Sequence, residues 1–246
     1  MADFGRDLLV PERALAVGAH PDDIEFGCGG TLAKWAAAGC EIHHMVCTDG
    51  SKGSWDSNEN LAALVAKRQT EQRAASVALG GKGAVVFLGW TDGELEVGLA
   101  QRAEVCLWIR RIRPDVVLAH DPWKRYRIHP DHRHAGFLVT DGIVAARDPH
   151  FFPDQDAGPH RPDTLLLFEA DEPDHAEDVS SFVDRKVEAL LAHRSQLRST
   201  MGIAEGEGAS AAETAAFRAL TEEKLAADGA LIGAAAAELF KRIDRL

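Results

Sequence analysis

The chain has 246 residues, 46% of them hydrophobic, and a formal net charge of −12 at pH 7. That is enough apolar material for one sizeable core, and the acidic excess argues against nucleic acid or an anionic membrane surface as the main partner. No apolar run reaches the length of a membrane span, and the charged start, residues 1–7, carries no signal-peptide pattern. The four cysteines have no CxxC spacing, so reduced thiols of a cytoplasmic protein are the default.

Residues 14–19 form a short apolar run that reads as a buried strand. It leads into Ala19-His20-Pro21-Asp22-Asp23, where Pro21 sets its own φ and pushes His20 into an extended conformation. Gly27, Gly29 and Gly30 follow, within a predicted helix that ends at Gly39. A second strand is expected over 42–47, then a polar loop over 51–57 and a long helix over 58–79 stopped by Gly80-Gly81. A strand over 84–88, a helix over 99–112 ending before Pro114 and a strand over 115–119 come next. A loop over 120–130 leads to a helix over 131–146. Residues 148–163, rich in proline, read as a loop and a candidate piece of pocket wall. A fifth strand is expected over 164–168 and a helix over 179–198; residues 202–208 have linker composition. The alternating order predicts an α/β fold, a mostly parallel sheet with helices on both faces. One domain over 1–246 is expected, with 200–246 a mainly helical C-terminal extension of it, although 237–243 also reads as a last edge strand.

The turn after the first strand has a counterpart. His129-Pro130-Asp131-His132 again follows a strand, and folding can bring two strand ends together. His, His and carboxylate are the ligand types of a catalytic zinc site that leaves one position to water. The residues alone also allow two unrelated loops, each with a capping Asp and an exposed His. Cys28, among the glycines, reads as a small packing residue rather than a ligand.

This pair of motifs resembles the PIG-L/LmbE-like zinc-dependent de-N-acetylase superfamily, which includes the N-acetylglucosamine deacetylases of phosphatidylinositol-glycan, mycothiol and bacillithiol biosynthesis. The resemblance extends over about residues 14–197. It includes Arg68-x-x-Glu71, Leu79-Gly80, Trp90-Thr91-Asp92-Gly93 and Ala192-His193-Arg194-Ser195-Gln196. It implies a Rossmann-like, LmbE-like sheet and a hydrolase that removes an N-acetyl group from a small amino-sugar substrate. The implied metal ligands are His20, Asp23 and His132, holding Zn²⁺, with Fe²⁺ or another divalent ion as alternatives. Asp22 is implied as the general base and His129 as the cation that faces the oxyanion or protonates the leaving amine. Asp131 is expected to accept a hydrogen bond from that histidine and raise its pKa, while Arg68 and Asp92 are implied at the sugar. The protein is expected in the cytoplasm without a nucleic-acid or membrane partner, and a homo-oligomer is compatible with the sequence.

Two departures stand out. Thr48-Asp49-Gly50-Ser51-Lys52 replaces the family's Thr-x-Gly-Glu pattern, and Arg127 stands where the mycothiol-pathway enzyme has a tyrosine. Two other readings are weighed: a different metal-dependent amidase or phosphoesterase, and a non-catalytic sugar or nucleotide binder on a Rossmann-like sheet. Against the second, Gly27-Cys28-Gly29-Gly30 lacks G-x-G-x-x-G spacing, and the acidic pair at the turn would repel a pyrophosphate.

Overall fold

Strands and helices alternate along the chain in the computed structural model, which describes residues 4–204 and 211–246. In order these are β1 (Gly5–Arg6), β2 (Arg13–Gly18), α1 (Asp23–Ala37), β3 (Glu41–Thr48), α2 (Leu61–Ala78), β4 (Val85–Trp90), α3 (Leu99–Ile112) and β5 (Val116–His120). Then follow α4 (Pro130–Arg147), β6 (Thr164–Phe168), β7 (His175–Asp178), α5 (Val183–Leu191), α6 (Ala211–Ala230) and β8 (Ala237–Asp244). Local signals set several boundaries. The Asn60 side chain accepts from the Ala63 amide and starts α2, Pro130 opens α4, and α3 ends at Arg113, whose φ is +56°, before Pro114.

One eight-stranded sheet results, in the order β1-β7-β8-β6-β5-β2-β3-β4. Every pairing is parallel except those of β8, which runs antiparallel to β6 and β7. The last strand is therefore not an edge strand. It lies inside the sheet: Glu238 and Phe240 on one face and Ala237 on the other are buried, and both neighbours use its backbone. Alternate residues of β2 feed the two faces of the core. Leu15 and Val17 pack with Val105 and Ile109 of α3 and Leu138 of α4; Ala14 and Ala16 pack with Leu32 and Trp35 of α1. Since β2 lies between β3 and β5, the connections diverge at its carboxyl end and open a crevice there, where ligands of open α/β sheets bind.

Other expectations need correction. The predicted helix over 179–198 ends at Leu191 and continues as a 3-10 turn, Arg194–Gln196. The loop over 148–163 does not line the candidate site cavity. Instead Arg110 of α3 gathers it, donating to the carbonyls of Ala145, Ala146, Asp148, Phe151 and Phe152. Of the linker reading, 205–208 lie outside the described residues, as do 1–3 of the chain start and 209–210 of the helical reading. Among the described residues, no helix is long and apolar enough to cross a membrane.

Helix α1 carries the first motif and is broken at Cys28, whose φ is −148°. The glycine before the break is demanded by packing, since a Cβ on Gly27 would sit 2.5 Å from the Phe168 ring. Glu238 of β8 caps the second segment, accepting from Gly30 N at 2.9 Å, Thr31 N at 2.7 Å and Thr31 Oγ1 at 2.6 Å. Lys186 Nζ donates to the same carboxylate at 2.6 Å and to Phe26 O at 2.7 Å. Glu238→Ala would strand that buried ammonium. It is expected to destabilise the fold by about 3–5 kcal/mol and lower the thermal midpoint by roughly 6–20 °C. Thermal unfolding checks this, and adding Lys186→Met should recover part of the loss.

Candidate active site

The two motifs meet in the crevice. Asp23 is the centre: its Oδ2 lies 3.4 Å from His20 Nδ1 and its Oδ1 lies 3.3 Å from His132 Nε2. Ligands on a tetrahedral ion with bonds of about 2.0–2.1 Å stand roughly 3.3 Å apart. One atom from each of these side chains lies within 4.8 Å of the others. The residues therefore fit a divalent ion. Burial raises the Asp23 carboxyl, but His132 and His120 outweigh it and hold the group well below the usual carboxylate range.

Among the described residues two other groupings have ligand-like spacing, His20–Asp92–His129 and His120–His132–Glu169. The second already holds a cation, the Arg127 guanidinium, 2.5 Å from Glu169 Oε2 and 2.7 Å from His132 Nδ1. An ion-bound His132 cannot keep that last contact, because its Nδ1 then carries the proton. The first grouping uses the far nitrogen of His20. That Nε2 lies 3.1 Å from Asp131 Oδ2 and 3.2 Å from Asp92 Oδ1. Carboxylates only accept, so Nε2 carries a proton. Burial lowers the His20 pKa, but Asp131, Asp23 and Asp92 outweigh it and hold it well above the ordinary histidine value; an ion would take the place of the Nδ1 proton, giving a carboxylate–histidine–metal arrangement.

This corrects the expected role of Asp131. Its partner is His20, with the amides of Gly93 (2.6 Å) and Leu95 (3.3 Å) on the same carboxylate, and not His129. His129 instead stacks on His132 at 4.8 Å and meets His20 edge-on at 4.7 Å. Burial, and then the charge of His20, hold its pKa below the ordinary histidine value rather than above it.

Asp22 is buried beside the triad, and among the described residues no hydrogen-bond donor reaches its carboxylate; Arg68 Nη2 is 3.7 Å away. Burial pushes its pKa up to about 6, with Arg68 pulling the other way. Its backbone sits at φ +102°, a conformation costly for a residue with a Cβ. A cavity of about 550 Å³ joins these groups. It is lined by His20, Asp22, Asp23, Arg68, Asp92, His129 and His132, with Lys52, Trp55 and Glu169 around them. All predicted site residues except Asp131 thus line one cavity, and Asp131 touches His20 from behind. Trp55 is 90% exposed, not packed, whereas Trp90 turns away and donates to Glu104 at 3.1 Å. Lys52 pairs with Glu94 at 3.0 Å.

The sequence reading missed His120 and Glu169. His120 is buried, its Nε2 lies 3.1 Å from Asp23 Oδ2, and its ring stacks on His132 at 4.4 Å. Glu169 faces its other nitrogen at 3.5 Å. The signal that finds them is position: one ends β5 and the other follows β6, at the carboxyl edge where the crevice opens. His193 and Ser195, unassigned from sequence, are structural. His193 Nε2 meets Glu25 Oε2 at 3.1 Å, and Ser195 donates through N and Oγ to Glu71 at 2.9 and 2.5 Å. Cys28 and the other cysteines are buried free thiols.

A mostly parallel α/β sheet with a His-His-Asp cluster and a further carboxylate at its switch point defines an α/β protein with a candidate metal site. Comparison places it more closely: the PIG-L model, described as GlcNAc-PI de-N-acetylase, matches residues 15–143, and the chain belongs to that family. A diacetylchitobiose deacetylase of Thermococcus kodakarensis is 35% identical over 188 residues, covering 75% of this chain and 70% of the relative. A 1D-myo-inositol 2-acetamido-2-deoxy-alpha-D-glucopyranoside deacetylase of Actinosynnema mirum is 34% identical over 165 residues, covering 56% and 57%. Among solved structures, N,N'-diacetylchitobiose deacetylase from Pyrococcus horikoshii, complexed with its inhibitor MPG, superposes with a TM-score of 0.83 at 27% identity. That match covers 95% of this chain and 84% of the other.

Proposed function

We propose that this protein is a zinc-dependent N-deacetylase of N-acetylglucosamine-type amino sugars, acting in the cytoplasm. The observation that carries the reading is the convergence of His20, Asp23 and His132 beside the carboxylate of Asp22. The relatives named above, all deacetylases of acetamido sugars, support the same chemistry. His20, Asp23 and His132 would hold the ion, which when bound activates water and polarises the amide carbonyl.

The remaining roles belong to the chain. Asp22 lines the cavity, with Arg68 at 3.7 Å as its ion-pair partner, and takes the proton of the attacking water. His129, on the cavity wall, stands against the developing oxyanion and passes a proton to the nitrogen as the C–N bond breaks. Its depressed pKa makes its protonated form a readier donor to an amine. Asp131 keeps His20 in the ligating tautomer. Arg68 and Asp92 face the sugar, although Arg68 has only part of its guanidinium to offer. Its nitrogens already donate to Gly50 O at 2.8 Å and Pro21 O at 2.6 Å.

The test is amine release from N-acetylglucosamine and its glycosides, with bound metal measured on the same sample. A chelator is expected to abolish release and Zn²⁺ to restore it. Release that survives metal removal would overturn the reading, and phosphate release from phosphoesters without amine release would favour a phosphoesterase.

A further inference from the structure

The base candidate sits on a strained backbone, and something must hold it there. Asp22 has φ +102° and ψ −27°, and it is not glycine. Relaxing φ to an ordinary value rotates the peptide that joins Pro21 to Asp22. Both ends of that one peptide are held by α2. Arg68 Nη2 donates to Pro21 O at 2.6 Å, and the Asp22 amide donates to Gln72 Oε1 at 3.1 Å. Arg68 and Gln72 stand one helical turn apart, so they present to the same neighbour.

Gln72 cannot swing its amide round without loss. Its Nε2 donates to Glu25 Oε1 at 2.7 Å, and Glu25 Oε2 faces His193 Nε2 at 3.1 Å. Gln72, Glu25 and His193 are all fully buried, so water does not replace a broken bond. Arg68 is anchored in turn by Gly50 O; a Cβ there would stand 2.8 Å from Nη1, and Gly50 has φ +66°.

We propose that Gln72 is a positioning residue, which with Arg68 clamps the Pro21–Asp22 peptide so that the Asp22 carboxylate faces the cavity; this rests on the reading of Asp22 as the base. The chain runs from His193 through Glu25 and Gln72 to the Asp22 amide. It gives the buried Glu25 and His193 a task that neither metal binding nor sugar binding supplies.

Gln72→Leu tests it. Expected are a kcat lower by 10- to 100-fold, a KM within twofold of wild type, unchanged bound zinc, and Asp22 amide hydrogen exchange at least 100-fold faster. In an Asp22→Asn background the same substitution should change kcat by less than twofold, because there is no base left to misplace; a merely structural defect would multiply through. Gln72→Glu keeps an acceptor for the Asp22 amide, and the new carboxyl can share one proton with Glu25, so it should retain exchange protection and most of kcat. The proposal is overturned if Gln72→Leu leaves kcat or Asp22 exchange within twofold of wild type, or costs the same factor again in the Asp22→Asn background. If Gln72→Leu does not fold, loss of Asp22 protection in a folded Gln72→Glu protein overturns it and retention supports it. A wild-type protein without deacetylase activity would sink the functional reading, while the exchange measurement still decides the clamp.

Discussion

Asp22→Asn is expected to lower kcat by roughly a thousandfold, within the 10²–10⁴ range of general-base contributions and worth about 4 kcal/mol of barrier. The substitution is close to isosteric, and asparagine tolerates positive φ better than most residues, so the backbone at φ +102° should persist. The amide that donates to Gln72 is unchanged, and so are the ligand atoms of His20, Asp23 and His132. What disappears is, among the described residues, the one cavity-lining carboxylate without a hydrogen-bond donor of its own. Asp23 is shared among imidazoles, and Asp92 accepts from the Lys52 amide at 3.0 Å while facing His20. The check is steady-state kinetics with metal analysis on the same preparation. A variant that retains its zinc and more than a tenth of wild-type kcat would assign the base elsewhere.

Much of this arrangement is legible in the chain, and the parts that are not have a common cause. The helix over 99–112 and the strand over 164–168 read to the residue because apolar content and the stops beside them are local. β1 and β7 escape such reading. They are two and four residues long, and the buried members of β7 include His175 and Glu177, polar side chains that satisfy each other at 2.7 Å and give no apolar signal. β8 reads ambiguously because its place between two parallel strands is decided by partners far away in sequence, from Asp178 paired with Ala237 to Thr164 paired with Asp244. In the site, the ligand residues announce themselves through repeated His-Pro-Asp turns. Which carboxylate serves which imidazole does not. Asp131 reaches His20 across 111 residues instead of its near neighbour His129. His120 is a lone histidine ending an apolar strand, and only the convergence of strand ends gives it a role.

That convergence makes the site's centre and its surroundings separable. Asp23→Ala is expected to abolish stable metal binding and reduce turnover to background. The carboxylate faces three imidazoles at once, His20, His120 and His132, at 3.4, 3.1 and 3.3 Å. Without it the ion loses a ligand, and His132 loses its carboxylate partner. His120→Phe keeps the ring stacked on His132 and the contact with Phe168 but removes the nitrogen that faces Asp23. Its cost should be that of an outer partner, about 10–100-fold in zinc affinity, with activity restored by excess zinc. Asp23→Ala should exceed that range and resist rescue. Zinc titration of the metal-free proteins, followed by amine release at saturating zinc, separates the two. Equal rescue of both would remove Asp23 from the ligand set, and failure to rescue His120→Phe would move His120 into it.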